Sequence, residues 1–154
     1  MEKQSHSTKV SILIVSLCVF LCGCPISERA SIYSTIHSFE RACNRMDIND
    51  MLNCIEPTIS DLFKLSPFPK DKEQRSEFLL NIVDVIYVID ADSANEIIDF
   101  FESVQIKVRN VDVGSRRATV DAILAYTIDG VKTEEYITII LLERGGKWYI
   151  ASIY

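Results

Sequence analysis

The dipeptide Asp129-Gly130 separates two stretches of alternating residues, and this arrangement constrains the fold more than any other feature of the chain. Ahead of it, Ala118, Val120, Ala122, Leu124, Tyr126 and Ile128 recur at every second position. A period of two places such a set on one side of a β-strand. Asp-Gly suits the two positive-φ positions of a two-residue hairpin turn. With Ile128 facing Val131, the numbers of paired residues sum to 259. Val120 then opposes Ile139, Ala122 opposes Ile137 and Leu124 opposes Glu135, all on one face.

Two further strands extend this hairpin. Val104, Ile106 and Val108 alternate with Gln105, Lys107 and Arg109, and Gly114-Ser115 supplies a tight turn into the second strand. Gly145-Gly146 supplies the next turn, and Lys147 to Tyr154 forms the last strand.

The residues ahead of the meander read as helical. From about Arg29 to Arg45, Ala30, Tyr33, Ile36, His37, Ala42 and Cys43, with Phe39 beside them, recur mostly at helical spacing. Asp47 offers an N-cap, with Asp50 three residues on, before Met51, Leu52 and Ile55 mark a short second helix that Pro57 ends. DLFKLSPFPKDKEQ reads as a helix end and a loop. Between Glu73 and Ile89 the apolar positions 79, 82, 83, 86 and 89 fit a 3.6 period, although the β-branched residues favour a strand. Length and period together predict a buried helix. Asp92 or Ser93 then caps a short helix through Phe100. The plan is α+β: N-terminal helices packed on a strongly bent four-stranded antiparallel sheet.

The start of the chain has a different character. Residues 1–9 are polar and carry Lys3 and Lys9, and residues 10–21 are twelve uncharged, largely apolar residues. A bilayer-spanning helix needs about 20 residues, so this run suits a signal-peptide core. It ends in Leu21-Cys22-Gly23-Cys24, which resembles the lipobox of bacterial lipoproteins. The resemblance implies that residues 1–23 are a removed signal peptide and that Cys24 carries diacylglycerol and palmitate. It implies a protein lipid-anchored on the extracytoplasmic side of the bacterial cell membrane, inner or outer where there are two. One acyl chain binds a membrane marginally, whereas two or three hold durably. Residues 24–28 then form the lipidated N-terminus and a short tether, reaching at most about 14 Å if extended, ahead of a domain over 29–154.

The formal charge is -6, and the chain after Gly23 stands at -7, because Lys3, Lys9 and Glu2 leave with the leader. An acidic domain gains no general attraction for nucleic acid phosphates or for anionic lipid head groups, and nucleic acid is set aside as a partner on that ground. Lys107, Arg109, Arg116 and Arg117 cluster around one hairpin and fit a solvated sheet edge. Cys43 and Cys54 are the thiols remaining after Cys24. They stand either as a disulfide or as two buried free thiols.

The element order, with a first helix ending in an Asp-turn-helix (29–56) and the strand series closing on GGKWYI, resembles the nuclear-transport-factor-2-like (NTF2-like, cystatin-like cone) superfamily. More narrowly it resembles the small exported lipoproteins of unknown function within it. The resemblance implies helices covering a bent sheet to form a cone whose open end is a ligand pocket in many members and an active site in some. On the residues themselves, His37, Tyr126, Glu135 and Trp148 are the pocket candidates. Glu135 is a charge on a mostly apolar face, and His37 is the histidine that remains after the leader. Asp121 and Tyr136 fall on the opposite face. No His, Cys and Glu set has metal spacing, no glycine-rich loop suits a phosphate, and no cofactor is implied. Two readings result: a non-catalytic domain for a small molecule or an envelope protein, or a small lyase or isomerase with a carboxylate or His base. Homodimerisation through the open sheet face is the further expectation from the resemblance.

Overall fold

The computed structural model describes residues 25–65 and 71–154. The leader and Cys24 lie outside the described residues. Among the described residues six helices precede four strands: α1 Pro25–Asn44, α2 Ile48–Cys54, α3 Pro57–Leu65, α4 Lys72–Ser76, α5 Phe78–Ile89, α6 Ala91–Ser103, then β1 Gln105–Val113, β2 Arg117–Ile128, β3 Val131–Arg144 and β4 Lys147–Ile153. None of the described helices is long and apolar enough to cross a membrane.

The sheet is an antiparallel meander in the order β1-β2-β3-β4. Every β2–β3 pair obeys the sum of 259, from Ile128↔Val131 to Arg117↔Leu142. Asp129 and Gly130 both take positive φ, 52° and 73°, as a turn matched to the twist of its strands requires. The register slips once on β1 between Val108 and Asn110, and once between β3 and β4 at Ile140/Leu141. Bulges of this kind bend a strand and increase its twist, so a long antiparallel sheet curves. The inner face of the curve carries Ile106, Val111, Ala118, Val120, Ala122, Ile139, Leu141, Trp148 and Ile150, all buried with Ile32 and Ile36 of α1. On the other face Asp121 and Tyr136 are exposed, as the alternation predicts.

Helix α1 lies across this inner face. Its buried stripe is Ile32, Ile36, Phe39, Ala42 and Cys43, rotated from the expected one, so that Ala30, Tyr33 and His37 face solvent. Glu40 accepts the N–H of Ile106 at 2.7 Å, which satisfies a donor at the start of an edge strand. The helix ends with Met46 at φ 52°, Met46 N–H donating to the Cys43 carbonyl and Asp47 N–H to the Ala42 carbonyl. That is a Schellman closure with methionine where glycine is usual. Burial of the Met46 side chain against Val83 and Ala94 offsets the unfavourable backbone.

Asp47 caps α2 as expected, accepting from Asn49 and Asp50 N–H at 3.0 and 3.1 Å. Four expectations need correction. Residues 25–28 belong to α1 rather than to an extended tether. Pro57 opens α3, its fixed φ suiting the first helical position, whereas α2 already stops at Cys54. The segment 73–89 is two helices, and α5 is largely exposed rather than buried, with Val83 its buried residue and Val88 and Ile89 at 86% and 80% exposure. The cap of α6 is Asp90, not Asp92 or Ser93, because its carboxylate reaches both the Asp92 N–H and the Ser93 hydroxyl. Helix α6 then runs on to Ser103, whose hydroxyl accepts the Thr127 N–H at 2.7 Å and pins the helix to β2.

Candidate functional site

Two groupings of polar side chains among the described residues bear on function. The first is on the inner sheet face, beside the β2–β3 hairpin. Tyr126 and Glu135 lie diagonally across β2 and β3, two positions apart on the same face, within reach of a long side chain. The Tyr126 hydroxyl donates to Glu135 Oε1 at 2.7 Å. Phe100 of α6 meets the Tyr126 ring edge-on, with centroids 5.0 Å apart. Half-buried Leu124, Ile137 and Val108 continue this wall into the core. The hydrogen bond to Glu135, aided by partial desolvation and the carboxylate charge, holds the Tyr126 phenol above its ordinary range. Removing its proton would set two anions side by side. The pair is therefore a closed donor–acceptor couple, with Glu135 reaching water at the rim.

The other two pocket candidates do not join it. Trp148 is 3% exposed and packs as a core wedge beneath α1, with its carbonyl accepting from the buried Thr35 hydroxyl at 3.1 Å. His37 is exposed on α1, outside the stripe that meets the sheet. Cys43 and Cys54 are both buried free thiols. Burial, with Cys54 close by, pushes the Cys43 thiol up to about 12, and burial likewise raises Cys54, so neither is poised as a nucleophile. Among the described residues no group of three or more His, Cys, Asp or Glu could hold a metal ion.

The second grouping escaped the sequence reading. Between α1, α2 and the β3–β4 turn lies a groove of about 520 Å3. Ser31, Ser34, Ser38 and Arg41 of α1 form one wall, and Asp50, Cys54 and Lys147 stand across from them. Arg41 Nη2 donates to Ser38 Oγ at 3.3 Å. Lys147 Nζ donates to the Asn53 carbonyl at 3.2 Å and lies 4.8 Å from the Tyr149 ring centroid. A detectable signal was present: positions 31, 34, 38, 41 and 45 alternate spacings of three and four, which is the period of one helix face. A polar stripe of that period equally fits a plain solvated helix face.

No family model and no curated protein matches the chain. Solved structures similar in shape include the following three. A five-substitution variant of a protein named Rd1NTF2_05 is 10% identical with a TM-score of 0.52, covering 82% of this chain and 96% of its own. An NTF-2 like protein of unknown function from Shewanella oneidensis MR-1 is 12% identical with a TM-score of 0.49, at the same coverages. A SEC-C motif containing protein from Rhodopseudomonas palustris is 15% identical with a TM-score of 0.45, covering 74% of this chain and 70% of its own. Helices laid over one curved antiparallel meander define an α+β cone. That cone is the NTF2-like fold.

Proposed function

We propose that the chain is an exported lipoprotein, held by a diacylglycerol-bearing Cys24 on the extracytoplasmic face of a bacterial membrane, whose NTF2-like domain binds rather than catalyses. The observation that carries the reading is the sequence Leu21-Cys22-Gly23-Cys24, followed in the chain by a helix that starts at Pro25. An anchor followed at once by structure holds the domain against the lipid surface. Binding is favoured over chemistry by the Tyr126–Glu135 couple. A phenol above its ordinary range keeps its proton at neutral pH, and its carboxylate partner already accepts it. Such a pair orients a ligand better than it moves a proton.

The test is the mass of the protein recovered from cell membranes. We expect a mature N-terminus at Cys24 bearing diacylglycerol, and release of the Cys24→Ala variant from the membrane fraction. A mature chain that begins elsewhere, or a wild-type protein with no lipid on Cys24, would overturn the anchor. For the binding half, Glu135→Gln keeps the hydrogen bond geometry and removes the charge. Turnover of any small carbonyl or hydroxy-acid substrate by the wild type, lost in Glu135→Gln, would overturn it.

A further inference from the structure

The groove beside α1 has the composition of an anion site in a chain of the opposite sign. Arg41, Arg45 and Lys147 face a single carboxylate there, Asp50, while the chain as a whole stands at -6. Asp50 is engaged by Arg45 at 2.7 Å. Neither Arg41 nor Lys147 has a carboxylate partner among the described residues. Their held positions come from neutral groups instead: Ser38 for Arg41, and the Asn53 carbonyl and Tyr149 ring for Lys147. Two oriented cations left without a counter-charge create a local positive potential inside a concave wall, where low-dielectric sides focus it.

The rest of the wall adds specificity for what the anion is attached to. Ser31, Ser34 and Ser38 rise in a ladder along α1 toward Arg41, each offering a donor and acceptors. Thr35 also lines the groove, but its hydroxyl is already engaged, donating within reach of the Ser31 and Trp148 carbonyls, so the free hydroxyls of the wall are those of the serines. The groove volume of about 520 Å3 suits a small polar molecule. A guanidinium fork matches phosphate geometry, and an ammonium adds a point charge. We infer that this groove binds a phosphate ester, its phosphate taken by Arg41 and Lys147 and the hydroxyl groups of its glycerol or sugar moiety by the serine ladder. The groove lies apart from the Tyr126–Glu135 couple, so the inference goes beyond the proposed function and depends neither on that pair nor on the anchor. The ester comes either free in solution or as the head group of an anionic lipid.

The experiment uses the full chain purified in a nonionic detergent at low salt. Glycerol 3-phosphate is titrated by calorimetry, and in a second arm the micelles are doped with phosphatidylglycerol or, as control, phosphatidylcholine. We expect saturable binding that weakens at least tenfold when Arg41→Ala and Lys147→Ala are combined. Lys132→Ala, which removes an exposed cation on β3 far along the sheet, should leave it unchanged. Ser34→Asp places a negative charge in the ladder at an exposed position and should abolish binding without disturbing the core. It keeps the test valid should the double variant fail to fold. Groove-dependent binding of glycerol 3-phosphate assigns a soluble ester, and groove-dependent binding of phosphatidylglycerol alone assigns the lipid head group. Binding of neither probe, or binding equal in Ser34→Asp and wild type, overturns the inference. The lipid on Cys24 is measured separately, so either claim can fail without the other.

Discussion

Helix α5 and the strands β2–β3 are both dense in apolar residues, and the fold treats them in opposite ways. In the hairpin, Ala118, Val120, Ile139 and Leu141 are all at 0% exposure. In α5, whose sequence FLLNIVDVIYVI has two polar residues, Val83 alone is buried, while Val85, Tyr87, Val88 and Ile89 all exceed half exposure. The difference lies in what covers each surface. The inner sheet face is covered by α1 and α6, and β2 and β3 each have a neighbouring strand on both sides, so the apolar side chains in its middle are enclosed. Helix α5 meets α6 and Met46 on one side, through Leu79, Val83 and Ile86, and has no described layer on the other. Periodicity identifies an element, and composition states how much surface it would gain by burying. Neither states whether a second layer exists to bury it.

The comparison breaks most visibly in the hairpin. Leu141 sits at 0% exposure in the main cluster, and truncating a fully enclosed leucine removes its transfer energy and leaves a cavity. We expect Leu141→Ala to cost about 3 kcal/mol in a denaturant titration, with an unchanged slope on denaturant. A cost under about 1 kcal/mol would mean that the inner face is looser than its enclosure implies.

The same contrast explains what was legible in the sequence. The meander could be read residue by residue because Asp129-Gly130 fixes a register, and a register propagates: one turn placed twelve pairs. No such local anchor exists for the helices. The face of α1 was misjudged by placing His37 on it, since Ile32 and Phe39 rather than Tyr33 and His37 meet the sheet. Either set has helical spacing, and only the partner surface decides between them. The end of α1 near Arg45 was legible, but the form of its closure was not, because Met46 takes a glycine conformation that only tertiary burial supports. Of the expected pocket set, Tyr126 and Glu135 meet because they share a strand register. Trp148 and His37 do not, because their positions depend on how helices sit over strands.

Glu56 joins the short helices α2 and α3 to the sheet edge. Its N–H donates to the Ile150 carbonyl at 2.8 Å, and the adjoining Ile55 forms a parallel bridge with Ile150 at the edge of the sheet. Its carboxylate accepts from the Thr58 hydroxyl at 3.2 Å and N–H at 2.9 Å at the start of α3, and from Arg144 Nε of β3 at 3.4 Å. Burial pushes this carboxyl up, but the Thr58, Ile59 and Arg144 hydrogen bonds outweigh it and leave it below its ordinary value of 4.5. A depressed folded-state value contributes stability that is present above the unfolded value and lost as pH falls through the folded one. We therefore expect stability to decline as pH drops below about 4.5, and Glu56→Gln to flatten that part of the pH profile while lowering stability at pH 7. A profile identical in the variant and the wild type would remove Glu56 as the link between the helical layer and the sheet edge.

The smallest effect is expected where the apolar residues are bare. Val88 and Ile89 make little contact, so replacing both by glutamine should remove almost no packing. Glutamine is also a better helix former than valine, which offsets part of any loss in a terminal turn. The combined Val88→Gln and Ile89→Gln change should therefore shift stability by no more than about 0.5 kcal/mol, with the helical circular dichroism signal retained. A cost approaching that of Leu141→Ala would show that this face of α5 is covered in solution. The two regions would then differ only in which layer the described residues include. A near-neutral result, set beside a large loss at Leu141, would show that the chain places equally apolar sequence in two environments and that its cohesion resides in the curved sheet and α1.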